Sequence, residues 1–496
     1  MSIKLSYRKI LEVLKKENLL SEHNINNTDE EIEFISHDSR NIKDYTLFLC
    51  KSLDFKEEYL LDAVKKGAVC YTAEKKYNTD CKHIIVSDIL KAVALIAPLY
   101  YDYPYKKLEL IGITGTKGKT TTAYFIRNIL DEFTQSKNGF SSNIEKYTGK
   151  RGEEAHINTP EPCDLQLYFH EALESSIKYF TMEVSSQAYK RERVKNIKFN
   201  NGIFLNIAED HIGPLEHKDF DDYLNCKLEF VRNCSNIVIN AETDCFEQVL
   251  KSAKNSETLE RITLFGSEKN KDKCDYYYSD LKKGGDVLNF NVRNDKNNYC
   301  GNFAIKTYGL FNVENAAAAI VMCKTIGVDC ESIRKGLLKT EVPGRMTIFE
   351  NNGVTVIIDY AHNFLSFNKL YESLKYDYPE NKIISVGGAP GGKAYKRRKD
   401  FADIVGSNSD YIYLTAEDPQ YEDVMKICRE MADYMPDASF EIIPDRAEAV
   451  TKATKSAKSG DVVVLLAKGS EEYQKVNGKR EYYESDLKIA QRVLLG

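Results

Sequence analysis

A glycine-rich loop between an apolar strand and a helix constrains the fold of this chain more than any other feature. The apolar run 108–114 leads directly into Gly-Thr-Lys-Gly-Lys-Thr-Thr at 115–121, and a helical pattern follows over 123–133. Glycines let backbone N–H groups converge on phosphate oxygens, and the following helix presents its positive N-terminal end. The pattern predicts a phosphate-binding loop that opens a nucleotide-binding α/β domain.

Two side chains of this loop have predicted roles. Lys119 would bridge the β- and γ-phosphates of ATP, and the Thr120 hydroxyl would ligate Mg²⁺. The usual GxxxxGK spacing would require glycine at Ile113, so the loop is a shortened variant. An ordinary glycine turn is the alternative, but the strand before and the helix after favour phosphate binding. The predicted ATP-binding residues of the loop are Gly115, Thr116, Lys117, Gly118, Lys119, Thr120 and Thr121.

The chain has 496 residues, a length that suggests about three domains. We predict an α/β fold with boundaries at 1–105, 106–342 and 343–496. Short apolar strands alternate with helical patterns in the last two, which predicts mostly parallel sheets. The segment 270–306 is rich in Tyr, Asp and Asn with alternating apolar positions, and it predicts an antiparallel excursion.

Composition excludes several classes of protein. Apolar residues make up 42% and charged residues 29%, which excludes a disordered chain. The net charge of −6 gives no electrostatic basis for binding bulk nucleic acid. No run of 18 apolar residues occurs and the start lacks a signal-peptide core, so we expect no membrane insertion. The twelve cysteines are scattered without a CxxC pair, which predicts reduced thiols and a cytoplasmic location.

Carboxylates and histidines follow several predicted strands. Glu183 follows the run 179–182 and is well placed to reach a metal held by the loop. The pair Asp210-His211 follows another strand, and His211 could donate a ring nitrogen to a metal. Asp359 and His362 repeat the arrangement near the C-terminus. A solvated strand-end carboxylate and a structural histidine remain the alternatives.

Eight motifs in chain order resemble the Mur ligases, an ATP-dependent family that adds amino acids to UDP-N-acetylmuramoyl peptides. The resemblance covers essentially the whole chain and is strongest to the tripeptide-forming branch, MurE. Three positions depart from the family pattern, namely Lys117 (usually Asn), Gln187 (usually His) and Ala467. The motifs are His37-Asp38-Ser39-Arg40, the loop 115–121, Asn158-Thr159-Pro160, Glu183-Val184-Ser185-Ser186-Gln187-Ala188, Phe311-Asn312-Val313-Glu314-Asn315-Ala316, Pro343-Gly344-Arg345-Met346, Asp359-Tyr360-Ala361-His362 and Lys468-Gly469-Ser470-Glu471.

The resemblance implies a fold of three domains that hold UDP, ATP and the incoming amino acid in turn. Asn312 would contact the adenine side of ATP, Arg345 its phosphates, and Asp359 would complete this site. Arginines suit the carboxylates and pyrophosphate of the acceptor through forked hydrogen bonds. The implied partners are small-molecule substrates, and we expect a monomer. The implied residues for the UDP-muramoyl peptide are Ser39, Asn158, Thr159, Ser185, Arg191 and Arg193.

Lys227 resembles the family lysine that becomes a carbamate by reaction with CO₂. A carbamate turns an ammonium group into a carboxylate-like Mg²⁺ ligand. A surface lysine on a helix is the alternative. The resemblance implies that Thr120, Glu183, His211 and carbamylated Lys227 hold the metal, and that the catalytic residues are Lys119, Lys227, His211 and Arg345.

The implied reaction joins an amine to a carboxylate that ATP has activated. The acceptor carboxylate attacks the γ-phosphate to form an acyl phosphate, and the amine then displaces phosphate through a tetrahedral intermediate. The protein must neutralise crowded negative charge, which Lys119, Mg²⁺ and Arg345 would supply. Closure between domains would exclude water from the acyl phosphate.

The stretch 417–420 bears on the incoming amino acid. Members that add meso-diaminopimelate carry Asp-Asn-Pro-Arg there, whereas this chain carries Glu-Asp-Pro-Gln, so the carboxylate-binding Arg is absent. An acidic pocket suits an ammonium group, and we predict L-lysine, with ornithine second. A solvated helix start and a carboxylate partner among the basic residues remain alternatives. The predicted amino-acid-binding residues are Glu417, Asp418, Gln420 and Glu471, the other nearby acids are Glu422 and Asp423, and the basic residues are Lys393, Lys396, Arg397 and Arg398.

Two other functions remain open at this point. A folate-polyglutamate ligase or another amino-acid ligase of the superfamily is the first, although such chains usually lack the segment 1–105. A catalytically silent nucleotide-binding relative is the second, motivated by the three departures. Retention of the five residues Lys119, Thr120, Glu183, His211 and Lys227 argues against it.

Overall fold

A computed structural model describes residues 3–51, 55–155, 157–213, 216–284, 287–306 and 309–495. Three main sheets of five, eleven and six strands follow one another along the chain. The predicted α/β class with parallel-rich sheets is therefore confirmed. The boundaries at 105/106 and 342/343 stay predictions, and each falls between two consecutive sheets.

The first sheet has one antiparallel edge and is otherwise parallel. Its elements are β1 (Leu5–Ser6), α1 (Tyr7–Lys16), β2 (Leu20–His23), β3 (Glu31–Ile32), β4 (Phe34–Ser36), β5 (Thr46–Leu49), α2 (Glu57–Lys65), β6 (Ala68–Ala73), β7 (Lys82–Val86) and α3 (Ile89–Tyr100). The strand order is β2-β7-β6-β5-β4, and only β2 runs antiparallel to its neighbour. The apolar faces of α1 and α3 share one hydrophobic cluster with these strands.

The second sheet is the largest. After a 3-10 helix (Pro104–Lys107), its elements are β8 (Glu109–Thr114), α4 (Lys119–Thr134), β9 (Gly139–Ser141), β10 (Glu145–Tyr147), β11 (Gly152–Glu154), α5 (Pro162–Glu174), β12 (Tyr179–Glu183), α6 (Ser186–Lys190), β13 (Phe199–Phe204), α7 (Phe220–Arg232), β14 (Cys234–Asn240), α8 (Phe246–Lys254), β15 (Arg261–Ser267), β16 (Tyr276–Gly284), β17 (Val287–Asn294), β18 (Tyr299–Ile305), α9 (Phe311–Thr325) and α10 (Cys330–Lys339). Two further 3-10 helices span Glu268–Lys273 and Asp295–Asn297.

Strand β8 lies near the middle of this sheet, whose order is β11-β10-β9-β12-β8-β13-β14-β15-β16-β17-β18. Both neighbours of β8 are parallel to it. Separate hydrophobic clusters cover the two faces of the sheet. Parallel strands covered on both faces read as continuous apolar runs, which explains why they could be predicted. Their carboxyl ends meet at one edge, and that edge carries the loop 115–121.

The predicted antiparallel excursion is confirmed at the far end of the same sheet. Strand β17 pairs antiparallel with β16 and with β18, and Phe290 lies opposite Phe303. Alternate residues of β17 are buried. This period-two burial produces the alternating apolar pattern of the sequence.

The third sheet is parallel apart from its first strand. Its elements are β19 (Thr347–Asn351), β20 (Val354–Asp359), α11 (Phe364–Asp377), β21 (Ile383–Gly387), α12 (Lys396–Phe401) with a π-helical turn (Ala402–Gly406), β22 (Tyr411–Leu414), α13 (Val424–Asp433), β23 (Phe440–Ile442), α14 (Arg446–Ser456), β24 (Val462–Leu466), the hairpin β25 (Tyr473–Val476) and β26 (Lys479–Tyr482), and α15 (Asp486–Leu495). The order is β19-β20-β24-β21-β22-β23. Within the described ranges, no helix has the length and apolar character needed to cross a membrane.

Candidate active site

A cavity lies between the second and third sheets, at the carboxyl edge of β8. It brings together predicted residues from six separate segments of the chain, because parallel strands of both sheets end beside it. The third sheet docks there through polar contacts. The Glu314–Lys369 pair spans 3.1 Å, and the Ser373 hydroxyl accepts from the Leu310 N–H at 3.2 Å. The predicted residues that line the cavity are Thr116, Lys117, Gly118, Lys119, Thr120, Thr121, Asn158, Glu183, His211, Arg345 and Asp359.

The loop backbone takes its shape from a glycine before α4. Gly118 has a φ of +87°, a left-handed conformation that favours glycine. A Cβ atom there would lie 2.2 Å from Oδ1 of Asn315 on α9. Helix α4 begins at Lys119, four residues earlier than the predicted helix. The prediction began too late because the first four residues, Lys-Thr-Thr-Thr, are polar in the sequence, although the threonines are buried in the structure.

The ammonium group of Lys119 rests on neutral carbonyl groups. Its Nζ donates to the carbonyl oxygens of Gly115 at 2.8 Å and Thr116 at 3.3 Å. In the described part of the chain, no carboxylate lies within ion-pair distance of it, and burial lowers its pKa. A partly buried cation without an ion-pair partner favours an anionic ligand.

Thr120 and Glu183 form an oxygen cluster that fits a magnesium ion. The Thr120 Oγ1 lies 2.8 Å from Oε1 of Glu183 and 2.9 Å from Oδ1 of Asn143. The Asn143 N–H also donates to Oε1 of Glu183 at 2.9 Å. The other carboxylate oxygen of Glu183, Oε2, is buried without a hydrogen-bond partner. Hard oxygen donors of this kind suit Mg²⁺, and the orphaned oxygen has room for a ligand bond.

His211 lies beside the same cavity in a left-handed backbone conformation, with a φ of +58°. Its Nδ1 is 2.8 Å from Oε1 of Glu216, and this hydrogen bond holds the pKa of Glu216 below its usual range. The pairing leaves Nε2 as the second ring nitrogen, 4.0 Å from Oδ2 of Asp210. The structure therefore places His211 at the site and fixes one of its two ring nitrogens.

Lys227 is buried on α7 and points to the start of the loop. Its Nζ donates to the Gly115 carbonyl at 2.9 Å and lies 3.5 Å from the Thr114 hydroxyl. Burial, and then the nearby Lys119 charge, lower its pKa well below the usual lysine range. A side chain that is 2% exposed does not fit the alternative of a surface lysine. A neutral amine is the form that reacts with CO₂.

Arg345 and Asp359 shape the connection between the second and third sheets. The Arg345 guanidinium stacks on the Tyr360 ring, 4.3 Å from its centroid. The Asp359 carboxylate accepts from the N–H groups of Met346 and Ala361, both at 2.8 Å, and burial raises its pKa. Arg345 is thereby presented to the cavity, while Asp359 braces the turn that carries it.

A second cavity continues from the first on the side of α6 and α7. Lys119, Asn158 and His211 line both cavities, and Ser185, Arg191, Arg193 and Lys227 line only the second of the two. Thr159 instead supports the wall, because its hydroxyl accepts from the Ser185 N–H and donates to the Glu183 carbonyl, both at 3.1 Å. Gln187, which departs from the family pattern, accepts a hydrogen bond from Nε of Arg191 at 3.2 Å.

The predicted residues Ser39 and Asn312 are among those that lie outside the lining of these two cavities. Ser39 is on the loop after β4, where its carbonyl accepts from Nζ of Lys66 at 3.0 Å. Asn312 is buried near the start of α9, and its side-chain oxygen accepts from the Asn315 amide at 3.1 Å. Their roles in binding UDP and adenine stay predictions.

Most acidic side chains of the predicted pocket already have partners within the protein. Lys468 neutralises two of its members, with Nζ 2.9 Å from Asp418 and 2.5 Å from Glu471. Glu422 pairs with Arg398 at 2.6 Å, and Asp423 caps α13. Gln420 is fixed through its backbone, since its N–H donates to Lys475 and its carbonyl accepts from Asn477.

Glu417 differs from these acids because its carboxylate has no ion-pair partner among the described side chains. It is 8% exposed, and burial raises its pKa to about 7, against the opposing charge of Arg397. Its carbonyl oxygen accepts from the Gln474 amide at 3.1 Å, which fixes the backbone. A nearly buried carboxylate without an ion-pair partner favours a cationic ligand.

Three of the four basic residues on the neighbouring loop are paired. Lys396 binds Glu209 at 2.6 Å, Arg397 binds Asp210 at 3.3 Å, and Arg398 binds Glu422 and Glu430. Lys393 and Arg397 both line the first cavity. The ion pairs of Lys396 and Arg398 argue against the alternative that these two residues bind a substrate carboxylate.

Several residues at the site were missing from the predicted set. Asn143 holds Thr120 and Glu183, and Asn206 clamps the loop backbone by accepting from the Lys117 N–H at 2.9 Å and donating to its carbonyl at 3.1 Å. Asn206 follows a predicted strand, a position that could have identified it. Asn143 lies outside the quoted motifs and carries no comparable sequence feature.

Family models match two parts of the chain. The Mur ligase middle domain matches residues 113–323, and the Mur ligase, glutamate ligase domain matches residues 344–469. The UDP-N-acetylmuramoyl-L-alanyl-D-glutamate--L-lysine ligase of Enterococcus faecalis is 39% identical over 499 residues, covering 97% of both chains. The chain belongs to the Mur ligase family.

Two further Mur ligases are similar over nearly their whole length. The enzyme of the same name from Streptococcus agalactiae serotype V is 37% identical, covering 98% of this chain and 99% of its own. A solved UDP-N-acetylmuramoyl-L-alanyl-D-glutamate--2,6-diaminopimelate ligase has a TM-score of 0.66 at 22% identity and covers 99% of both chains. The predicted family, the three-domain fold and the class of ATP-dependent ligase are confirmed.

Proposed function

We propose that this Mur ligase adds L-lysine to UDP-N-acetylmuramoyl-L-alanyl-D-glutamate, with ATP as the energy source, in peptidoglycan precursor synthesis. The relatives from Enterococcus faecalis and Streptococcus agalactiae carry names that state this reaction. The observation that carries the proposal for lysine is Glu417, a nearly buried carboxylate without an ion-pair partner among the described residues. An ammonium group would supply the missing charge.

ATP would bind with its phosphates at the loop 115–121. Lys119 and Arg345 provide positive charge there, and the N-terminus of α4 adds backbone N–H groups. Mg²⁺, held by Thr120 and Glu183 together with His211 and carbamylated Lys227, would neutralise phosphate charge. The orphaned Oε2 of Glu183 and the lowered pKa of Lys227 support this metal set.

The acceptor would enter by the second cavity. Arg191 and Arg193 line it and would bind carboxylate or pyrophosphate oxygens. The acceptor carboxylate would meet the γ-phosphate near Lys119, which lines both cavities. The oxygen attacks phosphorus, ADP leaves, and the resulting acyl phosphate is then attacked by the amine with loss of inorganic phosphate. Lys119 and Arg345 would stabilise the negative charge of both steps.

Each of the three predicted domains would bind one substrate. Residues 1–105 would bind UDP with a contribution from Ser39, residues 106–342 would bind ATP with Asn312 on the adenine side, and residues 343–496 would bind the amino acid. Asn158, Thr159 and Ser185 would position the acceptor peptide. We place this activity in the cytoplasm, carried out by a monomer.

Lysine is favoured over meso-diaminopimelate by the balance of charge around residues 417–420. Lys468 pairs with Asp418 and Glu471, so Glu417 is the acid of this group that has no ion pair among the described residues. Gln420 is neutral and cannot make the bidentate contact that a second substrate carboxylate prefers. One carboxylate without an ion pair matches one side-chain ammonium, as in lysine or ornithine.

A competition experiment tests the proposal. The protein is incubated with ATP, Mg²⁺, the UDP-muramoyl dipeptide and equal concentrations of L-lysine, ornithine and meso-diaminopimelate, and the product is identified by mass spectrometry. We expect mainly the lysine adduct. A diaminopimelate adduct would refute the charge argument and point to Lys393, while ADP release without any UDP-linked product would indicate a different acceptor, as in folate-polyglutamate ligases.

A further inference from the structure

Lys117 occupies the loop position where the family pattern has asparagine. Asn206 holds the backbone of Lys117 through two hydrogen bonds, which do not involve the Lys117 side chain. The Nζ atom lies 3.1 Å from Nε2 of His362 and 3.6 Å from Oδ2 of Asp210. It lines the ATP cavity with Lys119 and Arg345. The side chain therefore places a further cation beside the proposed phosphate site.

His362 lies in the loop that follows β20 of the third sheet, and its ring is oriented to receive this cation. Its Nδ1 lies 2.6 Å from the Tyr360 carbonyl oxygen, a contact that only an N–H on Nδ1 can make. A neutral ring in this tautomer leaves the lone pair of Nε2 to accept from Lys117. Burial lowers the pKa of His362 well below its usual value, which agrees with a neutral ring.

Asp210 links the same ammonium group to the N-cap residue of α11 and to a residue of α12. Its Oδ2 accepts from the Asn363 amide at 2.6 Å, and its Oδ1 lies 3.3 Å from the Arg397 guanidinium. Arg397 already compensates the Asp210 charge, so Lys117 is not needed for that purpose. Burial lowers the pKa of Lys117 to about 7, Asp210 opposes this shift, and the cations Arg397, Lys119 and Arg345 add to it.

We propose that the Lys117 side chain is an additional contact for the ATP phosphates, and that docking of the third sheet, through His362, holds it in position. An asparagine at this position is shorter and uncharged, so it could supply neither the charge nor the contact to His362. The inference rests on the proposed ATP site, to which the sequence already assigns Lys117, and gives its side chain a specific role there. It also makes neutralisation of phosphate charge depend on closure between the two sheets.

Equilibrium binding tests this role without requiring turnover. A non-hydrolysable ATP analogue with Mg²⁺, and separately AMP, are titrated into the full chain and into K117N, K117R and K119A by calorimetry. We expect K117N to weaken the analogue at least about tenfold, the size of one charge-assisted hydrogen bond, and to change AMP affinity less than twofold. K117R should keep most of the affinity.

The part played by His362 is tested with H362A and the double variant K117N/H362A. We expect H362A to weaken the analogue by a smaller factor, and the double variant to bind no more weakly than K117N. Unchanged analogue affinity in K117N, or equal losses for the analogue and AMP, would overturn the inference. Should K117N fail to fold by circular dichroism, K117Q takes its place under the same criteria. A wild-type protein that binds the analogue no better than K119A would instead refute the ATP site itself.

Discussion

The nucleotide end and the amino-acid end of the site leave opposite charges without ion-pair partners. At the nucleotide end, Lys119 and Lys227 donate to neutral backbone carbonyls. At the amino-acid end, Lys468 pairs with two acids, whereas Glu417 has no ion pair within the described part of the chain. Lys227 and Glu417 are both nearly buried, and their pKa values move in opposite directions for the same reason, since burial penalises each charged form.

This difference indicates that the unpaired charges of the site determine the charge of the ligand that binds at each end. A buried charge without a partner costs free energy in the ligand-free protein, and a ligand of opposite charge recovers it. Unpaired cations fit the phosphates of ATP, and an unpaired carboxylate fits an ammonium group. Asp418, Glu471 and Glu422 have the same charge as Glu417, but their partners remove them from this role.

The largest expected effect is that of removing the cation closest to the loop carbonyls. Lys119→Ala should lower kcat/KM for product formation about 10³-fold or more, because a group that stabilises transferred phosphoryl charge is lost. Product is measured by mass spectrometry, and folding by circular dichroism. The control is Lys254→Ala, an exposed lysine at the end of α8, which should behave as wild type. Near-normal turnover in Lys119→Ala would contradict the assignment of the ATP site.

A second test asks whether Lys227 acts as an anion after modification. Lys227→Ala should lower kcat about 10²-fold or more, as expected for loss of a metal ligand or its support. Small carboxylic acids such as acetate or propionate should restore part of the rate by replacing the carbamate. The same acids should leave Lys119→Ala inactive, which makes that variant the matched control. Full activity of Lys227→Ala would show that the metal does not use this residue.

At the amino-acid end, Glu417→Gln should lower kcat/KM for L-lysine about 10- to 100-fold, the effect of losing one charge-assisted hydrogen bond. The KM for ATP should stay unchanged, because the two ends bind separate ligands. Glu422→Gln serves as the control, since Glu422 already pairs with Arg398. If both variants lose the same lysine activity, the special role of Glu417 is wrong.

The smallest expected effect is a dependence on pH. Glu417 has a pKa raised to about 7, so its carboxyl group is charged above this pH and neutral below it. Binding of an ammonium group needs the charged form, and kcat/KM for lysine at saturating ATP should therefore fall severalfold as the pH drops from 7 to 6. Initial rates across this range measure it, and Glu417→Gln should lack this component.

Contiguous motifs made the nucleotide end predictable. The strand, the glycine loop and the helix follow one another directly, so Lys119 and Thr120 could be placed from order alone. Glu183 could be predicted because carboxyl ends of parallel strands meet at one edge. Helix α4 begins earlier than predicted, since its first residues are polar and resemble the loop. Asn143, which supports Thr120, lies outside any strong pattern.

The sequence by itself determined the class of fold, the family and the phosphate loop, because each depends on residues that are close together in the chain. The tertiary structure decided which charges have partners. Lys117 meets His362 across 245 positions and Lys468 meets Asp418 across 50, separations at which no local pattern reports a contact. Ion pairing depends on distances of a few ångströms between side chains, and only packing of the sheets sets those distances.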